Sequence, residues 1–188
     1  MTRLLILLLC AGLSLLGACG NEGGKPPAVA VSVSAVPPAA PNSAAPIGGY
    51  EATLAQGIQY AERPGYPRFI RSVSGMSGHE PNGRWSEGPT VVYEFVDPLP
   101  KEFVLRLEMG GAFGPNVGKP VKVKVKDWQG EFTVETSLKT IELRVKTTEP
   151  ASVIEFTIPE PKSPKELGGG DDPRRVGILF RRLSIVST

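Results

Sequence analysis

From Pro120 to Lys126 the chain reads PVKVKVK, with Val121, Val123 and Val125 alternating against Lys122, Lys124 and Lys126. A period of two belongs to a strand that turns one face to a core and the other to water. The pattern recurs along the chain. Phe103, Leu105, Leu107 and Met109 alternate with Glu102, Arg106 and Glu108. Val91, Tyr93 and Phe95 oppose Val92, Glu94 and Val96, and two partly apolar faces predict an interior strand. Phe132 with Val134, then Ile141, Leu143 and Val145, then Ile154, Phe156 and Ile158 mark further strands, set off by turn residues such as Asp127 to Gly130 and Glu149-Pro150. In the last segment, Val176 to Val186, Ile178 and Phe180 share one parity while Leu183 and Ile185 share the other. That change of phase at Arg181-Arg182 predicts a bulge in a strand apolar enough to lie inside a sheet. Short strands at this spacing, with no helix long enough for parallel crossovers, predict an all-β antiparallel sandwich or barrel.

The domain so marked runs over 47–188, close to the commonest domain size. The lysine alternation has two readings, a surface for anionic ligands or the usual protection of an exposed sheet face or edge. Glu51 to Tyr60 predicts one helical turn and then a strand with Ile58 and Tyr60 on one face. Pro64 to Pro67 is a turn, and Arg68 to Val73 is a short helix or strand. The stretch 159–175, PEPKSPKELGGGDDPRR, is longer than the usual connection, which makes it functional or flexible.

The N-terminus speaks to compartment. One charge, Arg3, precedes an apolar run that stays uncharged until Glu22, the layout of a secretory signal that is too short for a membrane span. The run ends LGAC and resembles the lipobox of bacterial lipoproteins. That resemblance implies a signal peptide over 1–18, cleavage before Cys19 and acylation of Cys19, which would hold the chain to a membrane through its lipid. Gly20 in the place of an aspartate points to the periplasmic side of the outer membrane rather than the inner one. The stretch 19–46 is rich in proline and alanine and reads as a disordered spacer. Of the 21 Lys and Arg only Arg3 falls in the signal, leaving 20 against 19 acids. That balance gives no electrostatic reason to expect a nucleic-acid partner. With Cys10 in the signal and Cys19 acylated, no disulfide can form within the exported chain, so burial alone must hold the fold.

The candidate site is HEPNGRWSEG, residues 79–88, where the sole histidine, a carboxylate, an arginine and one of two tryptophans fall together among turn residues. Trp85 either plugs one end of the core or presents a ring on which a sugar face can stack, a role also open to Tyr66. Arg84 and Arg174 can each pair bidentately with a carboxylate or phosphate on a ligand, or pin loops through Glu80, Asp172 or Glu166. Asn116 can read hydroxyls, and His79, Glu80 and Asp172 complete the ligand-binding candidates. Catalysis lacks its usual signals. Glu80 and Glu87 have no defined separation across a sugar, no serine elbow appears, and a lone histidine gives no zinc spacing. Calcium at Asp171 and Asp172 is conceivable without an EF-hand pattern behind it, and no metal or cofactor is assigned.

The blocks PGYPRF, VSGMSGHEPNGRWSE, PLPKEFVLRL, GAFGPNVGKPVKVKV and IPEPKSPKELGGGDDPRRVGI resemble a bacterial domain at the C-terminal end of membrane-bound, phosphoglycerol-transferase-like and other envelope polysaccharide proteins, found also as a small exported protein. The resemblance covers Gly57 to Val186. It implies a single jelly-roll-like β-sandwich, and its pattern falls on Gly83 to Ser86, Phe113 to Asn116, Ser163, Pro164, Glu166, Leu167, Gly168, Asp172, Arg174 and Gly177. Asn82 departs from it, since tryptophan is common there, and Asp171 with three preceding glycines suggests a looser loop. The resemblance carries no catalytic assignment. The resulting expectation is a noncatalytic envelope lipoprotein that binds glycan or another envelope polymer. The alternatives are a structural protein docking on a membrane-bound envelope complex, and a hydrolase or transferase acting on envelope glycans.

Overall fold

A computed structural model describes residues 49–188. The signal over 1–18, Cys19 with its lipid, the spacer over 19–46 and the first two residues of the expected domain lie outside the described residues. Among those described, ten strands form two antiparallel sheets. They are β1 (Ile58–Gln59), β2 (Ile70–Ser74), β3 (Arg84–Glu87), β4 (Thr90–Leu99), β5 (Glu102–Ala112), β6 (Pro120–Val125), β7 (Trp128–Thr133), β8 (Lys139–Lys146), β9 (Ala151–Thr157) and β10 (Val176–Ser187). A short 3-10 turn, Gly114–Asn116, separates β5 from β6. The first sheet has the order β1-β10-β5-β8, with β3 also pairing β10, and the second has the order β2-β4-β9-β6-β7. The fold is the all-β, jelly-roll-like sandwich that the periodicity and the resemblance imply.

The two inner faces come from the predicted parities. Val91, Tyr93 and Phe95 of β4, Phe103, Leu105, Leu107 and Met109 of β5, and Val121, Val123 and Val125 of β6 are all buried. Each such side chain is stabilised by roughly 1.5–3 kcal/mol on leaving water. Strand β6 lies between β9 and β7, so the lysine stripe is part of a sheet face and not of an edge. Within segment 68–73 the strand begins at Ile70, after a turn at Arg68 and Phe69, and β4 runs through Pro98 to the buried Leu99.

Strand β10 organises the first sheet. Its register against β5 shifts between Phe180 and Arg182, which is where the change of phase predicts a bulge. The extra residue lets Ile178 and Phe180 on one side of it, and Leu183 and Ile185 on the other, all face inward. Phe180 then meets Phe156 of the opposite sheet edge-on at 5.4 Å and Tyr60 at 6.1 Å, so the aromatic centre of the core spans both layers.

Candidate functional site

Residues 79–88 build a hairpin and then β3. Glu80 and Gly83 exchange backbone hydrogen bonds of 3.1 and 3.0 Å around Pro81 and Asn82. Asn82, which stands where the resemblance favours tryptophan, is therefore exposed at the hairpin tip. Gly83 has φ of 134°, and a Cβ there would lie 2.2 Å from the Phe180 carbonyl oxygen. Only glycine allows the chain to come so close to β10 as it enters β3.

Within β3 the parity sets Arg84 and Ser86 inward and Trp85 and Glu87 outward. Ser86 Oγ accepts the Ile178 N–H at 2.9 Å. Arg84 is buried, with its guanidinium carbon 4.7 Å from the centre of the Tyr66 ring. One terminal nitrogen donates to the Tyr66 hydroxyl at 3.2 Å and to the Ser77 carbonyl at 3.4 Å, and the other donates to the Pro64 carbonyl. Nε has no partner among the described residues. Arg84 thus takes none of the carboxylates expected for it, and Glu80 and Asp172 go elsewhere. It clamps the Pro64–Tyr66 turn to the Ser77 backbone from inside. Tyr66, with 6% of its surface exposed, lies beneath that guanidinium and is no sugar platform. Burial pushes its phenol up, against the opposing pull of Arg84. Deeper in, Tyr60 donates to Tyr93 at 2.7 Å, and burial raises both phenols well above their usual value.

Trp85 lies on the opposite side of the strand. Its ring is half-buried, outside the core cluster, and meets Phe113 edge-on at 6.2 Å. Its cross-strand partner on β10 is Leu179, whose side chain also lies outside the core cluster, against Gly110. A Cβ on Gly110 would stand 2.6 Å from Leu179 Cδ2, so glycine there makes the room that Leu179 fills. Leu167, 49% exposed, rests near Gly114 beside Phe113. Of the two readings open for Trp85, this placement is the outward one. Nothing in the local alternation RWSE favours burying arginine over tryptophan. The deciding surroundings are the hydroxyl-bearing tyrosines under that end of the sheet, Tyr60, Tyr66 and Tyr93, which lie outside the local alternation of β3.

The remaining candidates gather at the hairpin. Arg174 donates to Glu80 at 2.8 Å and, through Nε and a terminal nitrogen, to both oxygens of Asp172 at 3.1 and 2.7 Å. The two stretches 79–88 and 159–175 are thereby joined. The Arg174 bonds hold the Asp172 carboxyl below its ordinary range and raise the guanidinium pKa. Both Asp172 oxygens accept from the Arg174 guanidinium. Among the described residues no group of three or more His, Cys, Asp or Glu converges as a metal site. His79 is exposed beside this network. The long loop is further stapled. Ser163 and Glu166 exchange bonds in a capping-box arrangement that lowers the Glu166 carboxyl, and Arg175 lies 3.4 Å from the same carboxylate. Asn116 is wholly buried. Its amide donates to the Phe113 and Glu160 carbonyls at 3.0 and 2.8 Å and accepts the Glu160 N–H at 2.9 Å, so it ties the loop to the end of β5 instead of facing solvent. Sequence reasoning did not single out Leu179 for this surface. The only signal for it was that Leu179 falls between the inward Ile178 and Phe180.

Residues 50–187 match the profile of a family described as a domain of unknown function, DUF7024. Phosphoglycerol transferase I of Citrobacter koseri is 33% identical over 128 residues, and that of Salmonella typhi is 32% identical over the same length. In each case the match takes in 65% of this chain and 16% of the curated protein. Among solved structures, a family 29 carbohydrate-binding module complexed with mannohexaose aligns with a TM-score of 0.48 at 14% identity, covering 73% of this chain and 92% of that one.

Proposed function

The chain belongs to the family described as a domain of unknown function, DUF7024, and from that premise we propose that it is a noncatalytic glycan-binding domain of the cell envelope. The observation that carries this reading is the outward Trp85. A half-buried indole, braced by Phe113 and Leu179 on a sheet face, is the kind of rigid, amphipathic surface on which a sugar ring stacks. The Glu80–Arg174–Asp172 network fixes the adjoining hairpin and leaves His79 and the remaining oxygen of Glu80 at its rim. In this reading Arg84 and Asn116 act by positioning, since both are buried and bonded to backbone carbonyls. Relatives named for phosphoglycerol transfer share only the part of their length that this chain matches, which supports an accessory role in polymer handling. Acylation of Cys19, with 19–46 as a spacer and 47–188 as the folded unit, would hold the surface near the membrane, on the periplasmic side of the envelope.

The test is calorimetric titration of the full chain in detergent with neutral and acidic glucan oligosaccharides and with isolated envelope polymers. Saturable binding is expected, and Trp85→Ala should weaken it by tenfold or more, as loss of a buried aromatic anchor does. A folded chain that binds none of them above background overturns the proposal. Recovery of one consistent protein partner by the acylated chain in that case would favour docking on an envelope complex.

A further inference from the structure

The bulge that brings four apolar residues of β10 inward also turns two successive arginines outward. Arg182 is used within the sheet. Its Nε and one terminal nitrogen donate to the Gln56 carbonyl at 3.0 and 2.9 Å, and the other terminal nitrogen lies 3.7 Å from Glu108. Arg181 is different. Its backbone carbonyl accepts from Tyr60, but its guanidinium has no hydrogen-bond or ion-pair partner among the described residues. Two other cations of the same face are paired, Arg106 with Glu142 and Lys146 with Glu102. Arg181 lines a depression of about 280 Å³ with Glu108, Leu138, Lys139 and Thr140. Two cations and one carboxylate line it, and that carboxylate already faces Arg182. Leu138, 68% exposed, forms an apolar wall. Arg181 stands two residues along β10 from Leu179, and Leu179 is the cross-strand partner of Trp85.

Resting on the glycan-binding reading above, we propose that this depression is an anion subsite of the same surface. A saccharide stacked on Trp85 and crossing Leu179 places an acidic substituent, phosphoryl or carboxylate, at Arg181 and Lys139. A planar guanidinium without an ion-pair partner among the described residues is suited to bidentate capture of either group. The ligand class that follows is an acidic glycan instead of a neutral one.

The experiment titrates the full chain with one gluco-oligosaccharide in three forms: unsubstituted, carrying a phosphate monoester, and carrying a carboxymethyl group. At least one acidic form is expected to bind about tenfold tighter than the unsubstituted one, with the advantage shrinking as salt is raised. Which acidic form gains more separates phosphoryl from carboxylate recognition. Arg181→Gln should abolish the advantage while leaving affinity for the unsubstituted form unchanged, and Lys122→Gln on the other sheet should leave it intact. Equal binding of all three forms, or an advantage that survives Arg181→Gln, overturns the subsite and leaves the glycan reading standing. Absence of binding to every form overturns both.

Discussion

Arg84 and Arg174 flank the same hairpin, yet they are held in opposite ways. Arg174, with 39% of its side chain exposed, takes two carboxylates and joins two loops at the surface. Arg84 is buried without any carboxylate, and an aromatic face, a phenol and two carbonyls surround its charge instead. The difference teaches where each bond matters. A surface ion pair competes with water and contributes little, whereas a buried donor shared among several acceptors leaves all of them unsatisfied when it is lost. Arg84 is therefore the structural element of the hairpin, and Arg174 tunes the order of the loops.

The strongest test of that contrast is Arg84→Ala. It should destabilise the fold by about 3–4 kcal/mol in urea denaturation, because it strips partners from Tyr66, Ser77 and Pro64 and leaves a cavity. A cost no greater than that of Arg174→Gln would break the comparison. Gly83→Ala should follow at about 2–3 kcal/mol, from the strained φ and the clash with the Phe180 carbonyl. It acts on the same hairpin without touching either arginine. Smallest is Arg174→Gln, below about 1 kcal/mol because the side chain is exposed, with its effect showing as faster hydrogen exchange in 159–175. Acid should mimic it. The Asp172 carboxyl is depressed in the folded chain, so its contribution is present above the unfolded value of about 3.9 and is lost as pH falls through the lower folded value. Protection against exchange in that loop, relative to the intrinsic rate at each pH, should fall over this acid window and stay flat from about pH 5 to 8.

Much of the fold was legible because period-two burial is a local property. Phe103 to Met109 and Val121 to Val125 face inward as their alternation requires, and the bulge at Arg181-Arg182 follows from a change of phase visible in the chain itself. The site was legible only in its membership. The residues of 79–88 and 171–174 do converge, but alternation assigns Arg84 and Trp85 to opposite faces without saying which face is inner. That choice depends on Tyr60 and Tyr66, which precede the hairpin, and on Tyr93 of β4, which follows it. Hydrophobicity alone would bury the indole. That Arg181 has no partner among the described residues was likewise hidden, since Glu108 stands opposite the bulge and faces Arg182.

Strand β10 pairs with β1, β3 and β5, whose paired residues lie 66 to 125 positions away in the chain. Contacts of such long sequence separation make folding slow, because the loops must close before the pairing rewards them. They also fix an order of events. During synthesis β5 and β8 can meet early, but β1 and β3 have no partner strand in their sheet until the last dozen residues emerge. Until then the edge of β5 stays open, and the Trp85 surface does not exist. A chain stalled short of Val176 should therefore show the second sheet and the β5–β8 pair, with β1 and β3 unpaired to the rest of the first sheet.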